Sequence, residues 1–107
     1  MGYMQMTQYN KLIRDRIPEL IANEGKRCKT RVLSRSELQK HLIAKLREEV
    51  AEFEREPNLE EIADIVEVLR ALANELGSDM NDLEQVRIEK YNKHGGFEKR
   101  LFLEYVD

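Results

Sequence analysis

A dense block of acidic residues between residues 48 and 67 restricts the fold of this chain more than any other feature. Nine carboxylates lie there against one basic residue, Arg55, which gives a local net charge of 1 − 9 = −8. Apolar residues recur between the acids at helical spacing, which indicates two amphipathic helices. Like charges at this density must be either solvated or neutralised by a cation. The acids are Glu48, Glu49, Glu52, Glu54, Glu56, Glu60, Glu61, Asp64 and Glu67.

Length and composition exclude several classes of protein. The 107 residues suit one domain, expected over residues 9–107 after a flexible N-terminal segment of residues 1–8. No apolar run approaches the ~18 residues of a membrane-spanning helix, and the first residues lack the apolar stretch of a signal peptide. Because Cys28 is the only cysteine, no internal disulfide forms, and a reducing cytoplasm is the expected compartment. The net charge of −3 and the short basic segments argue against nucleic-acid binding.

Capping motifs and turn residues divide the chain into helices. Ser34-x-x-Glu37 and Asn58-x-x-Glu61 each place a capping oxygen three residues before an acid, a pattern typical of helix N-termini. We predict a mainly α fold, an antiparallel helical bundle with three long helices and a short N-terminal helix. The short helix is expected around Pro18, with Pro18 in its first turn and Gly25 just past its end. The long helices are expected from Ser34 to about Arg55, from Leu59 to Leu76, and from Ser78 or Asp79 to about His94.

Two segments favour strands instead of helices. Residues 28–33 are short and contain β-branched side chains, and residues 97–106 alternate in part between apolar and polar side chains. The two segments are candidates for a small two-stranded β-ladder. Because a lone pair of strands is only marginally stable in water, this ladder would have to pack on the helices.

Four of the acids are out of place on the predicted helices. At about 100° per residue, Glu49 falls inside the apolar stripe of its helix, and Glu52 falls at the edge of that stripe. On the next helix, Glu61 borders the main apolar stripe and Asp64 lies on a second apolar strip. A helix that is apolar on two sides is packed on two sides, so we expect Asp64 to be partly buried. A core-facing carboxylate is costly unless it is paired, protonated or bound to a cation.

The spacing of these acids predicts a metal site. Glu49 with Glu52, and Glu61 with Asp64, are each three residues apart, so both carboxylates of a pair share one helix face. The connection around Pro57 is short, so the two helices should be antiparallel neighbours. Four carboxylates can then converge on a hard cation, Mg²⁺ or Mn²⁺. For each pair taken alone, the alternative is a solvated pair of carboxylates with helical partners.

Basic residues are concentrated near both ends of the chain. Lys11 and Arg14 lie near the N-terminus, and Lys90 and Lys93 accompany His94 before a Gly-Gly pair. Cations beside a metal site suit a polyphosphate substrate, because they neutralise phosphate oxygens. The alternative is that these cations pair with the acidic helices of their own chain.

Together these motifs resemble the all-α nucleoside-triphosphate pyrophosphohydrolases, and among them the MazG-like proteins described as phosphoribosyl-ATP pyrophosphohydrolase-like. The E-x-x-E…E-x-x-D pattern of that superfamily appears as Glu49-Val-Ala-Glu52 and Glu61-Ile-Ala-Asp64. The sequences YNKLIRDRIPELI at residues 9–21 and KYNKHGGFEKRLFL at residues 90–103 are also similar to that subgroup. His94 departs from the pattern, which has arginine before Gly-Gly-Phe.

The resemblance implies a MazG-like helical domain that forms a homodimer or homotetramer. It implies Mg²⁺-dependent cleavage between the α- and β-phosphates of a nucleotide, either a nucleoside triphosphate or a phosphoribosyl-ATP-like one, with release of pyrophosphate. The implied metal ligands are Glu49, Glu52, Glu61 and Asp64, and the implied phosphate contacts are Lys11, Arg14, Lys90 and Lys93.

The general base and the activity itself have alternatives. Glu49 and Glu52 are both candidate catalytic bases, because a carboxylate not fully committed to the metal can accept the proton of the attacking water. One competing function is a nucleotide- or metal-binding module without turnover. The other is a helical dimerisation domain, suggested by the two-sided apolar pattern of residues 59–76.

Overall fold

The computed structural model describes residues 7–107, and this part of the chain contains four α-helices and no β-strand. The prediction of a mainly α fold with three long helices after a short one is confirmed. A flexible segment is predicted for residues 1–8, and residues 1–6 of this segment lie outside the described residues. None of the described helices combines the length and hydrophobicity that crossing a membrane requires. The helices are α1 at Ile17–Asn23, α2 at Arg35–Arg55, α3 at Leu59–Glu75 and α4 at Met80–His94.

Side-chain caps begin the long helices where the motifs predicted them. At α2, Ser34 Oγ accepts a hydrogen bond from the Glu37 amide at 3.3 Å, and Glu37 accepts one from the Ser34 amide at 3.1 Å, which completes a capping box. At α3, the Asn58 side chain accepts from the Glu61 amide at 2.9 Å. At α4, Asp79 is the residue that caps the helix. These bonds satisfy amides that have no partner inside the helix.

A glycine ends α3, as the sequence predicted. Gly77 has a φ of 78°, in the left-handed region that glycine adopts without steric cost. The Ser78 amide donates to the Ala73 carbonyl at 2.9 Å, and the Gly77 amide donates to the Asn74 carbonyl at 3.0 Å. This pair of bonds forms a Schellman motif, so the last carbonyls of the helix are satisfied.

The candidate β-ladder is wrong, because neither residues 28–33 nor residues 97–106 form a strand. In the second segment, Arg100 has a φ of 55° and its amide donates to the Phe97 carbonyl at 3.1 Å. The chain therefore turns inside a run that would have to stay extended to pair. In the first segment, the Arg31 side chain bonds to Glu37 at 3.0 Å, next to the start of α2.

The chain divides into two compact units, one ending at Leu72 and the other beginning at Ala73. In the first unit, α2 and most of α3 are neighbours joined by residues 56–58. Leu42 on α2 and Val68 on α3 are buried, whereas Ile62 and Leu69 are 43% and 37% exposed. Asp64 shares the Val68 side of α3 and is half-buried, as predicted. The second apolar strip of α3 therefore packs inside this unit, together with Ile65 and Leu72 of the main stripe, which are half-buried.

We expect Arg31→Gln to raise the pKa of Glu37 from about 2 towards its ordinary value of 4.5, as measured by NMR titration of the carboxyl group. The Arg31 guanidinium, then the backbone and side chain of Ser34, hold this pKa down by bonding the ionised form. The contribution of ionised Glu37 to stability is therefore complete above pH 4.5 and is lost as the pH falls towards 2. Arg35→Gln removes an equal charge nearby and should leave the titration unchanged.

Candidate functional site

Three of the four predicted metal ligands converge where the end of α2 meets the start of α3. One carboxylate oxygen from each of Glu49, Glu61 and Asp64 lies within 4.8 Å of the other two. We call these three residues the acid cluster. Bonds of about 2.0–2.1 Å to Mg²⁺ place two of its oxygen ligands at most about 4.2 Å apart, and bonds of about 2.3–2.6 Å to Ca²⁺ place them at most about 5.2 Å apart. The spacing of the acid cluster therefore suits one divalent cation, and Mg²⁺ would hold these oxygens at the short end of that range.

Water has little access to parts of the acid cluster. Glu49 is buried, with only 9% of its surface exposed. The Oε2 atom of Glu61 is also buried, and it has no hydrogen-bond partner in the part of the chain that the structure describes. Burying a carboxylate oxygen costs free energy when no hydrogen-bond donor replaces the water that it loses. A cation bound at this point would remove the penalty, so the residues present fit a metal site.

Burial and crowding raise the pKa of Glu61. Desolvation is the largest cause, and the negative charges of Asp64 and Glu49 add to it. All three effects disfavour the ionised form of the carboxyl group. A nearby cation acts in the opposite direction, because opposite charge favours ionisation.

Glu52, the fourth predicted ligand, lies outside the acid cluster. Its carboxylate pairs with Arg55, three residues further along α2, and its side chain is 41% exposed. Its charge still contributes to the raised pKa of Glu61, so Glu52 borders the acid cluster without joining it. Its roles as a metal ligand and as the general base stay predictions.

Lys11 and Arg14 reach the acidic helices from the segment that precedes α1. Arg14 Nη2 donates to Asp64 Oδ1 at 2.6 Å, and Lys11 Nζ donates to Glu48 Oε1 at 3.0 Å. The alternative in which these cations pair with acids of their own chain is therefore confirmed for both residues. Their contacts with phosphate stay predictions.

The sequence patterns did not single out Lys45, which is the most buried cation near the acid cluster. Its side chain is 17% exposed, and Nζ lies 3.3 Å from Glu48 and 3.5 Å from Glu49. Burial by itself would raise the pKa of Glu48, but Lys11 and Lys45 outweigh it and lower that pKa. The i, i+4 spacing from Lys45 to Glu49 was visible in the sequence, whereas the burial of this cation was not.

A pocket of about 160 Å³ lies beside these cations. Asn10, immediately before Lys11, has a φ of 48°, a left-handed conformation that asparagine tolerates better than most residues. The pocket presents both positive and negative groups, so it suits a small polar ligand group. Its lining consists of Asn10, Lys11, Leu12, His41, Ala44, Lys45 and Glu48.

The other two predicted phosphate contacts belong to the unit that begins at Ala73. Lys90 and Lys93 lie on α4, where both are exposed. His94 is the last residue of α4, and Gly95 follows it with a φ of 80°. A nucleotide contact for Lys90 and Lys93 stays a prediction.

Comparison of the chain with protein-family models, curated proteins and solved structures finds no match in any of the three. The likeness to the MazG-like proteins therefore depends on the sequence motifs alone. The acid cluster and the cations beside it support a function independently of those motifs.

We expect Glu61→Gln to raise the melting temperature of the metal-free protein at pH 7, because the ionised carboxylate opposes folding there. An acid with a raised pKa imposes its full penalty above the folded pKa and none below the ordinary value of 4.5. The gain should therefore disappear below pH 4.5. Thermal unfolding in a chelator measures it, with exposed Glu60→Gln as the control. A lower melting temperature for Glu61→Gln at pH 7 would contradict the assigned environment.

Proposed function

We propose that this protein is a Mg²⁺-dependent nucleotide pyrophosphohydrolase. It would cleave between the α- and β-phosphates of a nucleoside triphosphate or a phosphoribosyl-ATP-like nucleotide and release pyrophosphate. The observation that carries the proposal is the acid cluster, in which carboxylates from two helices converge and a buried oxygen of Glu61 has no hydrogen-bond partner among the described residues. A donor set made only of oxygen favours Mg²⁺, with Mn²⁺ as a substitute. The motif resemblance supplies the reaction and the class of substrate.

Residues of the acid cluster would hold the metal, and a neighbouring carboxylate would accept the proton of the attacking water. Mg²⁺ bound by Glu49, Glu61 and Asp64 would supply positive charge for the phosphate oxygens and a more acidic water. Glu52 is the better candidate for general base, because it lies outside the acid cluster and is more exposed than Glu49. To accept the proton, Glu52 would have to release Arg55.

The charges around the acid cluster support a substrate that binds together with a cation. Three carboxylates face two nearby cations, Arg14 and Lys45, so the local balance stays negative. A polyphosphate that approached this surface alone would be repelled. The same polyphosphate brought with a divalent cation finds compensating charge, and Arg14, which contacts Asp64, is close enough to contribute to it.

Glu49→Gln and Asp64→Asn should each reduce Mg²⁺-dependent pyrophosphate release by more than about 100-fold, because losing a group that merely orients a metal ligand already costs about 10–100-fold. A panel of nucleoside triphosphates and phosphoribosyl-ATP, read out as pyrophosphate, measures this and identifies the substrate. Glu60→Gln, an exposed acid of the same helix, should keep full activity. Circular dichroism establishes that each variant is folded. Undiminished release by either site variant would end the proposal.

Thermal unfolding with MgCl₂ separates the proposal from its alternatives. Mg²⁺ at ten times its Kd should stabilise the native protein by about 1.4 kcal/mol, and Asp64→Asn should remove the effect. A binding module predicts the same stabilisation without any product. A dimerisation domain, favoured by the half-exposed Ile62 and Leu69, predicts no Mg²⁺ effect. A melting temperature that does not change when Mg²⁺ is added would therefore favour the dimerisation domain.

A further inference from the structure

Residues 11–14, which precede α1, form ion pairs with both α2 and α3. Lys11 pairs with Glu48 of α2, and three residues later Arg14 pairs with Asp64 of α3. Three residues span at most about 10 Å, enough to cover the about 8–10 Å between the axes of packed helices. Leu12 and Ile13 between them are half-buried. This segment is therefore anchored at both ends and in its middle.

Arg14 occupies a carboxylate that the proposed metal requires. Its Nη2 atom lies 2.6 Å from Asp64 Oδ1, and Asp64 is a member of the acid cluster. A guanidinium and a divalent cation repel each other strongly at such short range. Arg14 and the cation therefore compete for Asp64, whereas Lys11 binds Glu48, which is not in the acid cluster.

We propose that Arg14 is an exchangeable counter-ion of the metal site. In the metal-free protein Arg14 neutralises Asp64, and it leaves that carboxylate when a divalent cation binds. The released guanidinium is then available for an anionic group, such as a phosphate brought in with the cation. This inference rests on the proposed function, because it requires that the acid cluster binds a metal.

The exposure of the two partners makes the exchange feasible. The side chains of Arg14 and Asp64 are 53% and 40% exposed, and ion pairs in such surroundings contribute little to stability. A cation can therefore displace Arg14 at small cost. Lys11 keeps its own partner during the exchange, so the segment stays on α2 and the freed guanidinium stays near the acid cluster.

Mn²⁺ binding without nucleotide tests the competition directly. The full chain is titrated with Mn²⁺, and the electron paramagnetic resonance of the free ion gives the Kd. Arg14→Gln should bind about two- to fivefold more tightly than the wild type, the factor expected from losing a half-exposed competing ion pair. Arg16→Gln is the matched control, because it removes the same charge two residues away, where Arg16 pairs with Glu19. Its Kd should equal that of the wild type.

A second measurement is made on the wild type, with one variant used only to assign the signal. In the wild type, the side-chain Nε–H resonance of Arg14 should shift when Mg²⁺ alone is added, because the guanidinium changes partner. The corresponding resonance of Arg16 should stay in place. Arg14→Lys, which is expected to fold normally and keeps the charge, identifies the resonance by its loss. An Arg14 signal that does not respond to saturating Mg²⁺ would overturn the exchange.

The outcomes distinguish this inference from the proposed function. Tighter Mn²⁺ binding by Arg14→Gln but not by Arg16→Gln supports the exchange. Equal or weaker binding by Arg14→Gln overturns it and leaves the metal site intact. Equal tightening by both variants shows a general effect of charge and overturns it as well. No Mn²⁺ binding by any of the proteins overturns the proposed function, and the exchange with it.

Discussion

The site depends on one constraint, which is that carboxylates from α2 and α3 converge where Glu49 and one oxygen of Glu61 have almost no contact with water. Glu49 is buried, and an oxygen of Glu61 has neither water access nor a partner among residues 7–107. The raised pKa of Glu61 is a direct consequence, since burial and the charges of Asp64 and Glu49 act in the same direction. A fold that keeps such a group accepts a local loss of stability, which is typical of positions reserved for binding or chemistry.

Three cations reduce the loss of stability that these carboxylates cause. Lys45 lies against Glu48 and Glu49 from within α2, while Lys11 and Arg14 arrive from a segment far away in the sequence. The two interpretations of the basic residues, internal pairing and contact with phosphate, therefore do not exclude each other. A cation that pairs with a carboxylate in a half-exposed position is held near the site and can still change its partner.

The two apolar strips of α3 are buried to different extents. The strip that carries Val68 is packed inside the first unit, although the broader strip with Ile62 and Leu69 has the stronger hydrophobic pattern. Asp64 lies on the weaker strip and Glu61 lies at the border of the stronger one, so the packing of α3 against α2 brings both acids to Glu49. Ile62 and Leu69 of the stronger strip stay partly exposed.

The sequence by itself determined the helices, because caps, proline and glycine act within a few residues of chain. Ser34, Asn58, Asp79 and Gly77 all act at the helix ends expected for them, and spacing alone placed Glu49 inside an apolar stripe. Only the tertiary structure decided which acids meet and which cation neutralises which acid. Helical periodicity gives the direction of a side chain around its own helix, whereas convergence depends on how two helices and a distant segment pack. That information lies in long-range contacts, which local pattern does not encode.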